Sequence, residues 1–132
     1  MQINLKKKGM ILLIELKGRL DTSTPKDFER QLIDIIESGE RHLVFDLSQV
    51  EHVSSNGLRT LLHAFKRLTY SNGRMAFHSL NERVRRVFEI GGFLMIFRVY
   101  ESREEAVSSV LQTGMLPANI LKSFNNGANG IA

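Results

Sequence analysis

Two adjacent serines, Ser54 and Ser55, followed by Asn56 and Gly57, stand between an apolar segment (Phe45-Asp46-Leu47) and an amphipathic stretch that opens at Leu58. That order implies a strand, a short polar turn and a helix. The first N–H groups of a helix lack intrahelical partners and its dipole is positive there, so an anion is stabilised at that end. A serine at such a point either caps the helix or carries a phosphate. A phosphate on Ser55 would add about −1.5 to −2 charges, favoured at a helix start by about 0.3–1 kcal/mol. The same charge pressed against the acidic or apolar surface of a partner is costly to desolvate. Modification would therefore act on binding and leave the fold intact. The residues alone support a small binding module with a phospho-site at one helix N-terminus.

Other chemistries find less support. Ser54 and Ser55 lie outside any Gly-x-Ser-x-Gly elbow, and His52, three positions before Ser55 on an extended segment, need not face it. The histidines His42, His52, His63 and His78 are isolated from one another, with no His-x-x-x-His pair, so each is expected at the surface or its boundary and none as a metal ligand. Asp21 and Asp46 stand at strand ends. Such a pair could hold Mg²⁺ beside a phosphorylated group, but turn formation by Asp21 and backbone capping by Asp46 are the simpler reading. No Walker loop, dinucleotide fingerprint or glycosidase carboxylate pair is present.

The elements that must position these residues follow from periodicity. Gln2 to Lys6 alternates as a half-buried edge strand, Lys7-Lys8-Gly9 turns, and Met10 to Leu16 is a nearly continuous apolar strand suited to burial on both faces. Thr24 and Pro25 open a helix with Phe28, Leu32, Ile35 and Ile36 on one face, stopped at Ser38-Gly39. His42 to Leu47 is the third strand. Leu58, Leu61, Leu62, Phe65 and Leu68 mark the stripe of a second helix that Asn72-Gly73 closes. Met75 to Phe77 is a fourth strand. Ser79 and Glu82 have capping-box spacing ahead of Val84, Val87 and Phe88, and Gly91-Gly92 breaks that helix. Ile96 to Tyr100 is a fifth strand, and Ser102 to Glu105 a capping box opening a last helix with Ala106, Val107, Val110 and Leu111 inward. From Gly114 the pattern fades. Leu116 to Phe124 suits a helical turn or two, and 125–130 has nothing to bury. The expected architecture is an α/β domain with a mixed, mostly parallel sheet of about five strands and about four helices.

With 132 residues there is enough chain for one domain with a real core. The absence of cysteine excludes disulfides and thiolate chemistry. No apolar run reaches the roughly 18–20 residues of a membrane span, and the Lys6-Lys7-Lys8 run is followed by too short an apolar segment for a secretory signal. A cytoplasmic protein is expected. The net charge of +4 is mild, and the basic residues are scattered without interleaved aromatics, which argues against direct nucleic-acid binding.

Four pieces in order carry a resemblance. Leu16-Lys17-Gly18-Arg19-Leu20-Asp21, Asp46-Leu47-Ser48, Ser55-Asn56-Gly57-Leu58 and the run Asn81 to Phe93 together resemble the STAS domain family, and within it the bacterial anti-sigma factor antagonists of the sporulation and stress-response type. The resemblance covers about residues 3–112. It implies a single STAS-like domain over 1–113 with a partly disordered tail at 114–132. It further implies a binding protein that is no enzyme, needs no cofactor and associates at most as a weak homodimer. The unmodified form of such an antagonist binds an anti-sigma factor, usually a serine kinase, and so frees a sigma factor for transcription. Phosphorylation on serine releases the antagonist, and a PP2C-type phosphatase restores it. By position the acceptor is Ser55, with Ser54 as the alternate. Asp21, Thr22 and Ser23 are implied to flank it on the partner face, with Asn56, Gly57, Leu58 and Arg59 at the exposed helix start. The family commonly has Asp-Ser-Ser/Thr-Gly where this chain has Ser54-Ser55-Asn56-Gly57. That departure keeps a second implication open: a STAS scaffold that is never phosphorylated and is held in a larger regulatory or transport complex.

Overall fold

Lys8 stands opposite Ile11 across a tight turn in which Gly9 takes φ +59°, so the first two strands, β1 (Gln2–Lys8) and β2 (Ile11–Leu20), pair as an antiparallel hairpin, a pairing their sequence alone leaves open. The computed structural model describes residues 1–24 and 26–112. After the hairpin come α1 (Lys26–Glu37), β3 (His42–Val53), α2 (Ser55–Tyr70), β4 (Arg74–His78), α3 (Glu82–Ile90), a 3-10 turn (Phe93–Met95), β5 (Arg98–Tyr100) and α4 (Arg103–Leu111). The sheet order is β1-β2-β3-β4-β5, parallel everywhere except at the β1 edge. The mixed, mostly parallel sheet and its helices are those the sequence implies. The expectations for the end of the domain at 113 and for the tail at 114–132 fall outside the described residues.

Parallel strands need crossovers, and these helices cover the sheet on both faces. On one face Ile14, Leu16, Phe45, Leu47 and Phe77 meet Leu32 of α1, Leu61 of α2 and Phe88 of α3. Phe77 is the hub of an aromatic group there, 4.9 Å from the rings of both Phe45 and Phe97. On the other face Ile11, Leu13, Val44 and Ala76 pack against Ala106 and Val110 of α4.

β3 runs to Val53, beyond the expected end at Leu47. Between Glu15 and Lys17, and again between Gly18 and Arg19, the pairing with β2 shifts by a residue. Each bulge adds one residue to β3, so its buried side chains fall at Leu47, Val50 and Val53, three apart, instead of alternating. A period of three with exposed Ser48, Gln49 and Glu51 between reads as a turn, although the backbone stays extended. Two other boundaries differ. α3 is capped by Asn81, whose Oδ1 accepts from the Val84 N–H at 2.8 Å, and not by Ser79, which sits at φ +63°. β5 begins at Arg98 because Phe93–Met95 winds into a 3-10 turn and Phe97 drops into the core. The Ser102–Glu105 capping box forms as expected.

α4 is held to its face by a polar row. Glu15, Asp46, His78 and Tyr100 are successive register partners across the sheet. Arg103 at the start of α4 reaches Glu15 at 3.4 Å and Asp46 at 3.6 Å. His78, expected near the surface, is only 3 % exposed. Its Nδ1 lies 2.8 Å from the Ser79 hydroxyl, and its Nε2 has no partner among the described residues. Burial pushes the imidazole below its ordinary value and outweighs the opposing pull of the Asp46 carboxylate. Burial would raise Asp46 itself, but the Ser48 N–H and hydroxyl, with His78 and Arg103 nearby, hold it below the usual carboxylate value.

The start of α2 is set by contact with the end of β2. A Cβ on Gly57 would lie 2.1 Å from the Leu20 carbonyl oxygen and 2.9 Å from its Cγ. Gly57→Ala must push helix and strand apart, and should cost about 1–3 kcal/mol, read as a lower urea midpoint. His78 makes a separate prediction. The unfolded imidazole titrates near about 6.5, whereas the folded one resists the proton. The unfolded chain therefore binds more protons below that pH, and stability falls as pH drops through this window. The carboxylates held low contribute only from about pH 5 downward. Urea titrations from pH 7.5 to 5 should show a slope that His78→Gln removes; equal slopes in both proteins would refute it.

Candidate functional site

Ser54 and Ser55 divide the two roles open to a serine at a helix start. Ser54 is the cap: it is extended (φ −106°, ψ 173°), and its Oγ accepts from the Gly57 N–H at 3.1 Å. Its own N–H donates to the Leu20 carbonyl at 2.9 Å, so the same β2 residue that abuts Gly57 also anchors the cap. Ser55 is the first helical residue and is exposed. Its hydroxyl is left out of the capping bond and stands at the positive end of a helix whose first turn holds no acidic residue.

Asp21 organises the loop beside it. One carboxylate oxygen accepts from the Ser23 N–H at 2.9 Å and the Ser23 hydroxyl at 2.5 Å; the other accepts from Arg19 Nε at 3.1 Å. The Asp21 N–H donates to Thr24 Oγ1, and that hydroxyl donates to the Arg19 carbonyl. The Ser23 bonds, helped by Arg19, hold the Asp21 carboxyl below its ordinary value. The carboxylate is thus committed to shaping a turn, with Thr22 and Ser23 exposed on it. Asp21, Thr22, Thr24 and Lys26 line one wall of a shallow cleft of about 230 Å³, and Asn56 and Thr60 of α2 line the other.

Of the residues implied for the partner face, Asp21, Thr22, Ser23, Asn56 and Arg59 lie half-buried or exposed around Ser55. Gly57 and Leu58 do not present a surface. Leu58 is 1 % exposed because it begins the buried stripe of α2, and Gly57 is sealed against Leu20. Asp46 is not brought to this site. It pairs with Glu15, six positions back from Asp21 along β2, which is about 20 Å of strand. Among the described residues no group of three or more His, Asp or Glu is placed to hold a metal ion.

Two features were not read from the sequence. Asn81 Nδ2 donates to the Val50 carbonyl at 3.0 Å, tying the bulged part of β3 to the cap of α3. Glu29, which also lines the cleft, meets His63 at 3.3 Å, and Glu37 pairs with Arg67, so α1 and α2 are held side by side. The spacing of Glu29 and Glu37 on α1 against His63 and Arg67 on α2 carries no local signal of that pairing.

Among the described residues no helix is long and apolar enough to cross a membrane. The BtrV protein of Bordetella bronchiseptica, provisionally described as an anti-sigma factor antagonist, is 36% identical over 109 residues, spanning 83% of this chain and 94% of that protein. A crystal structure of a Thermotoga maritima protein with the same provisional description matches with a TM-score of 0.77 at 24% identity, covering 82% of this chain and 93% of the other. The phosphorylated form of the Bacillus cell fate determinant SpoIIAA matches with a TM-score of 0.64 at 21% identity, over 83% and 99% of the two chains. The model of the STAS domain matches residues 2–106. The hairpin-led parallel sheet, the capped serine turn at the head of α2 and the extent of that match together establish that this chain belongs to the STAS domain family.

Proposed function

We propose that this chain is an anti-sigma factor antagonist. Unmodified, it binds an anti-sigma factor of the serine-kinase type through the face made by Asp21, Thr22, Ser23, Asn56 and Arg59. Phosphorylation of Ser55 releases it, and a PP2C-type phosphatase restores the binding form. The cycle operates in the cytoplasm and sets the amount of sigma factor free for transcription. The chain is the substrate of the cycle and performs no catalysis.

The observation that carries this reading is the exposure of Ser55 at the first position of α2 while Ser54 alone supplies the cap. An acceptor must be reachable by an enzyme, and its loss to phosphate must not unfold the helix. Ser55 meets both conditions. The functions given to the relatives point the same way, since BtrV carries the same description and the Bacillus neighbour has a phosphorylated form. A phosphate there would gain from the helix dipole and would stand at the exposed start of α2, next in sequence to Asn56, on the face proposed for the docking partner.

A second reading rests on Ser54. Serine and aspartate cap helices about equally well, but serine brings no charge, so an enzyme that reads a carboxylate before the acceptor loses that mark. The chain would then be a scaffold held in a larger complex and never phosphorylated.

Incubation with the cognate kinase and ATP, followed by mass mapping, should place one phosphate on Ser55. Phosphate on neither serine would exclude the switch and favour the scaffold. In titrations with the anti-sigma factor, Ser55→Ala should bind as the unmodified chain does. Ser55→Asp should bind at least about tenfold more weakly, a loss of about 1.4 kcal/mol; unchanged binding by Ser55→Asp would again favour the scaffold. Ser54→Ala should instead cost about 1 kcal/mol of folding stability by removing the cap, measured by urea denaturation.

A further inference from the structure

At the end of α2 remote from Ser55 lies a groove of about 600 Å³ whose apolar lining includes Phe65, Leu94, Met95 and Ile96, with Arg74 and Arg98 also on its wall. Phe93 and Phe97 pack toward the core, and the 3-10 turn sets Met95 and Ile96 outward. Met95 is 92 % exposed and Ile96 42 %. Ile90, at the end of α3, is exposed as well. Single apolar side chains at a surface are ordinary. Several in one short stretch, two of them lining a groove, mark a contact surface.

The charges on the wall select the kind of contact. Arg19, Arg67, Arg85 and Arg103 each pair with a carboxylate, whereas Arg74 and Arg98 pair with none among the described residues. Both reach the end of α4: Arg98 Nη1 donates to the Ser109 carbonyl at 3.2 Å, and Arg74 Nη1 to the Gln112 carbonyl. These bonds use one of the five N–H donors of each guanidinium, and a neutral carbonyl does not cancel a full charge. Partial burial, and then the charge of Arg98, hold the Arg74 guanidinium below its ordinary value, so the two cations are close enough to repel. An incoming carboxylate would relieve that repulsion. We propose that this groove is a second docking site, and that it takes an acidic amphipathic helix of a partner protein, with apolar side chains against Met95 and Ile96 and carboxylates toward Arg74 and Arg98.

Other occupants fit less well. Strand addition would have to use β5, which at three residues offers too short a ladder. An anionic membrane is bound by clusters of about 4–8 basic residues, and here two flank a recess. A second copy seated through the same groove by a two-fold axis would lay Arg74 and Arg98 against their own counterparts. Thr69, which also lines the groove, is fourteen helical positions from Ser55, about 21 Å along the axis. The inference therefore does not depend on the fate of Ser55.

The test uses the full-length chain, labelled with ¹⁵N, and a helix-forming peptide with Leu and Phe at i, i+4 and i+7 and Glu between them. The amide resonances of Leu94, Met95, Ile96 and Arg98 should shift on titration, with those of Ser55 and Asn56 unmoved. Met95→Glu, at a position too exposed to affect folding, should weaken the binding at least about tenfold, and so should replacing each Glu of the peptide by Lys. No shift at those four residues with the Glu peptide at about 1 mM would overturn the proposal. Equal binding of the Lys peptide would do the same, because the arginines would then select nothing. Shifts that appear without peptide and fade on dilution would assign the groove to a second copy. Attachment to phosphatidylglycerol vesicles that Met95→Glu abolishes, with the peptide inert, would assign it to lipid; either result refutes a peptide site.

Discussion

The carbonyl of Leu20 receives the Ser54 N–H at 2.9 Å and leaves no room for a side chain on Gly57. This single close approach, between the last residue of β2 and the first turn of α2, sets the geometry of the Ser55 face. It fixes where α2 begins, and hence which of two neighbouring hydroxyls turns inward as a cap and which turns out. Asp21 follows Leu20 directly in the chain, so the same contact also places the Asp21 loop against the helix start. The cleft between Asp21 and Asn56 is a consequence of that adjacency, with Phe28 of α1 forming part of its wall.

The bulges in β3 are what allow the contact. Without them β3 would advance residue for residue with β2. Two added residues instead bring Val53 opposite Leu20 while Phe45 stays opposite Ile14. The core face remains continuous through Phe45, Leu47, Val50 and Val53, each buried. The extra residues are accommodated at Ser48, where the N–H donates to Asp46 Oδ1 at 2.9 Å, and at Val50, whose carbonyl is taken by Asn81. Two short polar side chains thus serve backbone groups near the irregular part of the ladder, which is how a bulged strand remains satisfied inside a parallel sheet.

Local physics made much of this legible from the residues alone. Helix stripes such as Phe28, Leu32 and Ile36 emerged from spacing, and the Ser102–Glu105 box from its pattern, because each depends only on neighbours within a turn. The second half of β3 did not emerge, since its period of three arises from pairing with a strand far away in sequence. The cap of α3 was misplaced for a related reason: Asn81 is chosen over Ser79 partly by its reach to Val50, a contact no local pattern encodes. At the site, the Ser54–Ser55 turn and the neighbouring Asp21 loop were readable as turn chemistry. The division of labour between the serines was not, because it is decided by the Leu20 carbonyl. Leu58 shows the same limit, with its place on the helix stripe overriding its place beside the turn.

The pairing of an uncharged cap with an exposed hydroxyl has an electrostatic consequence for any phosphate placed on Ser55. An aspartate cap would set a carboxylate one residue from the incoming dianion, and like charges that close repel. Ser54 supplies the same cap without that repulsion. Of the acids that line the adjacent cleft, Asp21 already has its charge satisfied by Ser23 and Arg19, and Glu29 meets His63 at 3.3 Å. Lys26 lines the adjacent cleft, and Arg59 stands exposed in the second turn of the helix. The unmodified face around Ser55 therefore carries charges of both signs, with Asp21, Glu29 and Lys26 lining the cleft. Adding about two negative charges there would shift that balance toward negative without requiring a change at the Leu20 junction. On the proposed reading a phosphate would alter binding most where it alters folding least, because the cap and the candidate acceptor are different residues.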